Sequence, residues 1–202
     1  MKETLEPLPS WVITSLQGLA FWIGYKRALY RDYPLSEGAL VTELRSLIHA
    51  NLPDELFVKC EIGYTHLVKT SPRPKAIAGR TRADIVIANK IESKKEKGKL
   101  IYNPKHVIEF KRSQAPTREI NRDLQRLAAF RAARPEARAF LLVLSEADRH
   151  DRFVDDTGKS RLGKEKIPDS KGTFRVRRTL KAAPAFSNQD SANYASIIEV
   201  YA

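Results

Sequence analysis

Two short runs, RADIVIA at residues 82–88 and HVIEFK at residues 106–111, have the branched and aromatic content of strands, yet each carries charge where a buried strand should not. Glu109 and Lys111 lie two apart, so a strand projects both from one face while Ile108 and Phe110 point to the other. Asp84 interrupts Ala83, Ile85, Val86 and Ile87 in the same way. An unpaired carboxylate in apolar surroundings costs several kcal/mol, so these charges need partners. If the two runs pair antiparallel, Asp84 and Glu109 converge. Converging carboxylates repel unless a cation sits between them, and hard oxygen ligands suit Mg²⁺ or Mn²⁺ rather than zinc. Lys111 beside such a cation can hydrogen-bond an attacking water and stabilise charge growing on a phosphate, parts that suit phosphodiester hydrolysis. The plainer alternative is an ion pair between Lys111 and either acid, with no metal and no catalysis.

Outward from these runs, residues 55–65 read as a preceding strand, joined through a Pro- and Gly-containing loop at 71–80, and residues 90–99 as a charged, solvated loop. Pro116-Thr117 opens a helix to about residue 134, with Thr117 as cap and Ile120, Leu124 and Leu127 on its apolar face. ARAFLLVLS at 137–145 is apolar nearly throughout and fits a strand buried on both faces. Upstream, residues 36–50 form a helix on Leu40, Leu44, Leu47 and Ile48, ended by Asn51-Leu52-Pro53. Before it, Ser10 caps a helix at 11–30 whose Trp11, Leu16, Leu19, Phe21, Trp22 and Ile23 are too many for one narrow stripe. Its own domain covers it, or a second subunit does. After Ser145 comes a charged segment at 146–171 and two weaker strands at 173–180 and 194–201. The expected architecture is one α/β domain of 202 residues with a mixed central sheet flanked by helices. Within it lie an N-terminal helical segment (1–35), a core (36–145) and a basic C-terminal extension (146–202).

The balance of 36 Lys and Arg against 24 Asp and Glu, a net +12, favours a polyanionic partner: nucleic acid first, an anionic membrane second. Hydrophobic residues at 42% support a packed core and exclude wholesale disorder. A lone cysteine, Cys60, can form no internal disulfide and fits a reducing compartment. Residues 7–25 carry no charge, but Pro7, Pro9, Thr14, Ser15, Gln17 and Gly18 argue against a membrane span, and Glu3 and Glu6 against a signal peptide. The expected setting is cytoplasmic, with no membrane partner. Gly158-Lys159-Ser160 is not a phosphate-binding loop, because Phe153 stands where that motif needs glycine. His49, His66, His106 and His150 lack zinc-like spacing.

Asp84, then Glu109-Phe110-Lys111 after an intervening loop, in a helix, three strands, helix, strand order, resembles the PD-(D/E)XK nuclease superfamily, the restriction endonuclease-like fold, across residues 36–145. Ala83 stands where the motif often has proline. The resemblance implies a Mg²⁺- or Mn²⁺-dependent nuclease, with DNA the expected substrate and endonucleolytic cleavage the expected mode. Asp84, Glu109 and the carbonyl of Phe110 would hold the metal, and Lys111 would position or activate the water. It further implies an accessory acid, matched by Glu43 between Leu40 and Leu47, and a polar residue on the following helix, matched by Gln125 in a stripe with Arg118 and Arg122. Glu61 is a spare carboxylate ranked below Glu43. Arg80, Arg82, Arg112, Arg118 and Arg122 flank these elements and would hold the phosphate backbone, with Arg175, Arg177 and Arg178 adding grip. A homodimer through residues 11–30 would supply a second active site. The runner-up is a catalytically inactive nucleic-acid-binding protein of the same fold, and the third reading an assembly protein using its apolar first helix.

Overall fold

The computed structural model describes residues 5–29, 35–68, 73–90, 94–96, 99–146, 149–182 and 192–202. Its elements are α1 (Ser10–Leu29), α2 (Glu37–Asn51), β1 (Leu56–Gly63), α3 (Tyr64–Leu67), a 3-10 turn (Lys75–Ile77), β2 (Arg82–Asn89), β3 (Lys94–Glu96), β4 (Lys99–Ile101), β5 (Pro104–Arg112), α4 (Thr117–Ala133), β6 (Arg138–Ser145), β7 (Glu165–Lys166), β8 (Thr173–Ala182) and β9 (Asn193–Tyr201). Seven strands form one mixed sheet in the order β1-β2-β5-β6-β9-β8-β7. Every neighbouring pair is antiparallel except β5 and β6, which run parallel with α4 as their crossover.

Strand alternation sorts the core into two layers. On one face Val86, Val107, Leu141 and Val143 pack with Ile120, Leu124, Leu127 and Phe130 of α4. On the other, Ile85, Ile87, Ile108, Phe110, Phe140 and Leu142 pack with Leu16, Leu19 and Ile23 of α1 and Leu40, Leu44 and Ile48 of α2. Each such side chain, once fully buried, contributes roughly 1.5–3 kcal/mol. Because Glu109 and Lys111 alternate with Ile108 and Phe110, they share the face that α4 covers.

Several expectations need correction. Residues 146–202 are no appendage: they supply β7, β8 and β9, and β9 lies buried against β6 in the middle of the sheet. The loop at 90–99 contains β3, which pairs with β4 in a separate two-stranded sheet. β1 stops at Gly63, two residues early, because the chain turns into α3 to bury Tyr64 and Leu67. Thr117 does not cap α4; Pro116 holds that position, without a side-chain cap bond. Pro9 likewise precedes α1 and accepts the first-turn N–H groups of Val12 and Ile13, which leaves Ser10 inside the helix. Ser36 does cap α2, its hydroxyl accepting from Ala39 N–H at 3.2 Å. The expected end of the first helix at Tyr30, the turn at Asp32-Tyr33-Pro34 and the start of the loop at Ser71 lie outside the described residues. No described helix is long and apolar enough to cross a membrane.

Gly172 marks where β8 enters beneath α4. A Cβ there would lie 2.6 Å from Cβ of Ala128 and 2.8 Å from the carbonyl oxygen of Tyr201. Gly172→Ala should therefore destabilise by about 1–3 kcal/mol through overpacking. The measurement is a urea midpoint at unchanged slope; an unshifted midpoint would show that α4 yields without cost.

Candidate metal centre

The β2–β5 ladder sets Ile85 opposite Ile108 and Val86 opposite Val107. Continued one step, that register brings Asp84 level with Glu109, and there the side chain of Asp84 takes over from the ladder. Its Oδ2 accepts the backbone N–H of Phe110 at 2.7 Å. Glu109 is 2% exposed, and its Oε1 accepts the hydroxyl of the fully buried Tyr64 at 2.6 Å. Burial pushes the carboxyl of Glu109 well above its ordinary value, and the facing charges of Asp84 and Asp123 push it further. Burial also raises Asp84, against the opposing pull of the Phe110 N–H and Lys111. Two carboxyls brought this close oppose each other's ionisation, and that of Glu109 gives way further.

Lys111, on the same face, donates from Nζ to the carbonyl of Phe110 at 3.0 Å and meets Asp123 Oδ2 at 3.2 Å and Glu37 Oε1 at 3.4 Å. Burial acts to lower its ammonium pKa, but Asp123, Glu37 and Asp84 together outweigh burial and hold it above the usual lysine value. Asp123, 1% exposed on α4, also takes Arg126 Nη1 on Oδ1 at 2.6 Å. The cluster thus gathers carboxyls from β2, β5, α2 and α4 around one ammonium, with Arg126 behind it.

Among the described residues no three His, Cys, Asp or Glu side chains converge as a ready-made metal cage. What fits a hard divalent cation is the donor chemistry: two facing carboxyls beside a main-chain carbonyl. A cation there would offset the Asp84 and Asp123 charges that add to burial in raising Glu109.

The other expected residues fall differently. Glu43 is half-buried, with no hydrogen bond or ion pair among the described residues; α2 meets the cluster through Glu37, about 9 Å earlier along its axis. Glu61 adopts a left-handed φ of 57° opposite Asp84, and its charge helps to raise that carboxyl, so it stands nearer the centre than its ranking implied. Gln125 donates to the carbonyl of Pro168 at 2.8 Å and ties α4 to the loop between β7 and β8. Arg80, Arg82, Arg118, Arg122 and Arg178 are exposed. Arg112 is engaged by the carbonyl of Leu35 at 2.9 Å and by Glu146 at 2.8 Å, and Arg177 by Glu199 and the carbonyl of Glu6. Arg175 lies opposite Glu199 in the β8–β9 register. His106 faces away from Glu109, packed edge-on to Trp11, where burial lowers its pKa to about 4.

Tyr64, Asp123, Glu37 and Arg126 were not singled out from sequence. Asp123 had a readable signal: it follows Ile120 by three and precedes Leu127 by four, the same stripe test that pointed to Glu43.

The raised carboxyl of Glu109 has a thermodynamic consequence. The folded state keeps this proton at pH values where the unfolded chain has lost it, so stability is greatest below the unfolded carboxylate pKa and falls as pH rises toward the folded value. Glu109→Gln keeps an acceptor for Tyr64 and removes that penalty. In metal-free buffer its melting temperature should match the parent's at acid pH and exceed it increasingly toward neutrality; a gap that is flat with pH would mean Glu109 is not a raised carboxyl.

No family model, curated protein or solved structure matches this chain.

Proposed function

We propose that the protein is a Mg²⁺- or Mn²⁺-dependent nuclease that cleaves DNA internally, its α2-β1-β2-β5-α4-β6 portion forming a restriction endonuclease-like core of the PD-(D/E)XK superfamily. The observation that carries this reading is Asp84 level with Glu109 across β2 and β5, with Lys111 on the same face. Asp84, Glu109 and the Phe110 carbonyl would hold the cation, which when bound supplies Lewis-acid polarisation of the phosphate and a more acidic water. Tyr64 fixes the carboxyl of Glu109 through its hydrogen bond. Lys111, faced by Asp123 and Glu37, stays an ammonium, so its part is to donate to the water or to the phosphate oxygens as charge grows there, not to abstract a proton.

A second reading has its own support. The ammonium of Lys111 is already occupied by Asp123, Glu37 and the Phe110 carbonyl, as in a structural ion network, which suits a non-catalytic nucleic-acid-binding protein. Incubation of plasmid and single-stranded DNA with Mg²⁺, Mn²⁺ or Ca²⁺ separates the two. Cleavage with the first two and none with Ca²⁺ supports the nuclease; DNA binding without cleavage, and without heat on titrating Mg²⁺ or Mn²⁺, leaves the binding protein. The homodimer reading keeps one support, the exposed Phe21, Tyr25 and Leu29 at helical spacing along α1.

A further inference from the structure

α4, the 3-10 turn and residues 169–172 line an open cleft of about 850 Å³. Lys75, Arg122, Arg126 and Lys171 line it, against Asp169 as its one acidic side chain among the described residues. Its floor is Ala128, Ala129 and Ala132, and no aromatic side chain lines it, so it offers no platform for stacking bases. The walls are preset. Gln125 holds the 167–172 loop through the Pro168 carbonyl, and Gly172 is pressed against Ala128.

Thr81 lines this cleft and also a second one of about 510 Å³ that contains Arg80 and Arg82. The two meet at the start of β2, three residues before Asp84. Arg126 links the larger cleft to the carboxyl cluster, because the Asp123 that it holds also holds Lys111. Lys75, Arg122 and Lys171 are exposed, and their side chains make no hydrogen bond or ion pair among the described residues.

We propose that this cleft grips the sugar–phosphate backbone of one nucleic-acid strand beside the Asp84–Glu109 centre. The inference rests on the nucleic-acid reading above and adds where the strand is held and how. Cations on a small, apolar, non-stacking floor bind phosphates whatever the bases, so the grip is independent of sequence.

The test is fluorescence anisotropy of a labelled DNA duplex in chelator, so that no cleavage occurs, across about 50–200 mM salt. The variant Lys75→Gln/Arg122→Gln/Lys171→Gln should flatten the slope of log affinity against log salt by up to about 2–3 units, equally for different sequences. A matched removal of charge from the C-terminal segment, Lys159→Gln/Lys166→Gln/Lys181→Gln, should leave most of the slope. A parental slope in the cleft variant, or equal flattening in both, overturns the proposal. So does tighter binding of phosphatidylserine vesicles than of DNA through the same three residues, which would assign the cleft to lipid headgroups. A parent with no salt-dependent DNA affinity removes the cleft and the nucleic-acid reading together. Cleft-dependent binding by a parent that never cleaves removes the nuclease and leaves the cleft standing.

Discussion

Asp84→Asn, Glu109→Gln and Lys111→Met should each reduce metal-dependent cleavage on the order of 10³-fold or more, since the first two weaken the hold on the cation and the third removes the ammonium that faces the reacting phosphate. The substitutions are chosen so that folding does not confuse the result. Asn at 84 retains an oxygen for the Phe110 N–H, and Gln at 109 retains one for Tyr64. Both remove carboxylate repulsion, so neither should melt below the parent in metal-free buffer. Lys111→Met differs, because it leaves Asp123 buried with Arg126 as its remaining cation. It should cost about 1–3 kcal/mol. The metal separates the roles further: Mg²⁺ should raise the parent's melting temperature and not that of the Asp84 and Glu109 variants. Cleavage that survives Asp84→Asn would make the cluster a structural network, and a marked fall in its melting temperature would point the same way.

The centre was legible because charge inside an apolar run is costly, and Asp84, Glu109 and Lys111 each violate the pattern of the strand that carries them. Their partners were harder to see. Tyr64 and Glu37 sit at element ends, where no periodicity marks a residue as buried or aimed, and only folding brings α3 and α2 to the end of β5. Elements followed the same division. Residues 194–201 read as a strand, but the pattern of a strand does not say which neighbour it takes, so its place beside β6 was unreadable. The β3–β4 pair was hidden for a different reason: its lysine-rich sequence has little β propensity. Two acids of α2 differ in how far pattern reveals them. Glu43 satisfied the stripe test, whereas Glu37 reaches Lys111 from the first turn of α2, beside the Ser36 cap.

Away from this centre, Glu199→Leu should destabilise the protein by about 3–5 kcal/mol, a large share of the roughly 5–15 kcal/mol that holds a typical domain together. Glu199 is 5% exposed on β9, and Arg138 is 7% exposed on the neighbouring β6. The carboxylate accepts Arg138 Nε at 2.7 Å and Nη2 at 3.0 Å, the hydroxyl of Tyr201 at 3.0 Å, and the guanidinium of Arg177. The same arginines reach the N-terminal segment: Arg138 donates to the Pro7 carbonyl at 2.8 Å and Arg177 to that of Glu6 at 2.6 Å. Leucine at 199 would leave two guanidiniums in the sheet with main-chain carbonyls, the Tyr201 hydroxyl and, for Arg138, only the exposed Glu6 carboxylate at 3.4 Å. Removing all three charges together, as Arg138→Met/Arg177→Met/Glu199→Leu, should recover most of the loss, because an apolar replacement of a buried ion cluster is often neutral or better. Urea melts of the single and triple variants measure the coupling; a single-variant loss below about 1 kcal/mol would show that water already screens the cluster. Arg138 lies three residues before Leu141, the partner of Glu109, so this cluster is about 10 Å along the sheet from the carboxyl centre. A Glu199→Leu protein kept folded by cooling should therefore still cleave. It also follows that Arg177 serves the sheet before it serves a phosphate: Arg177→Gln should lower the melting temperature and leave the salt slope of DNA binding unchanged, and the opposite pair of results would return it to the nucleic-acid surface.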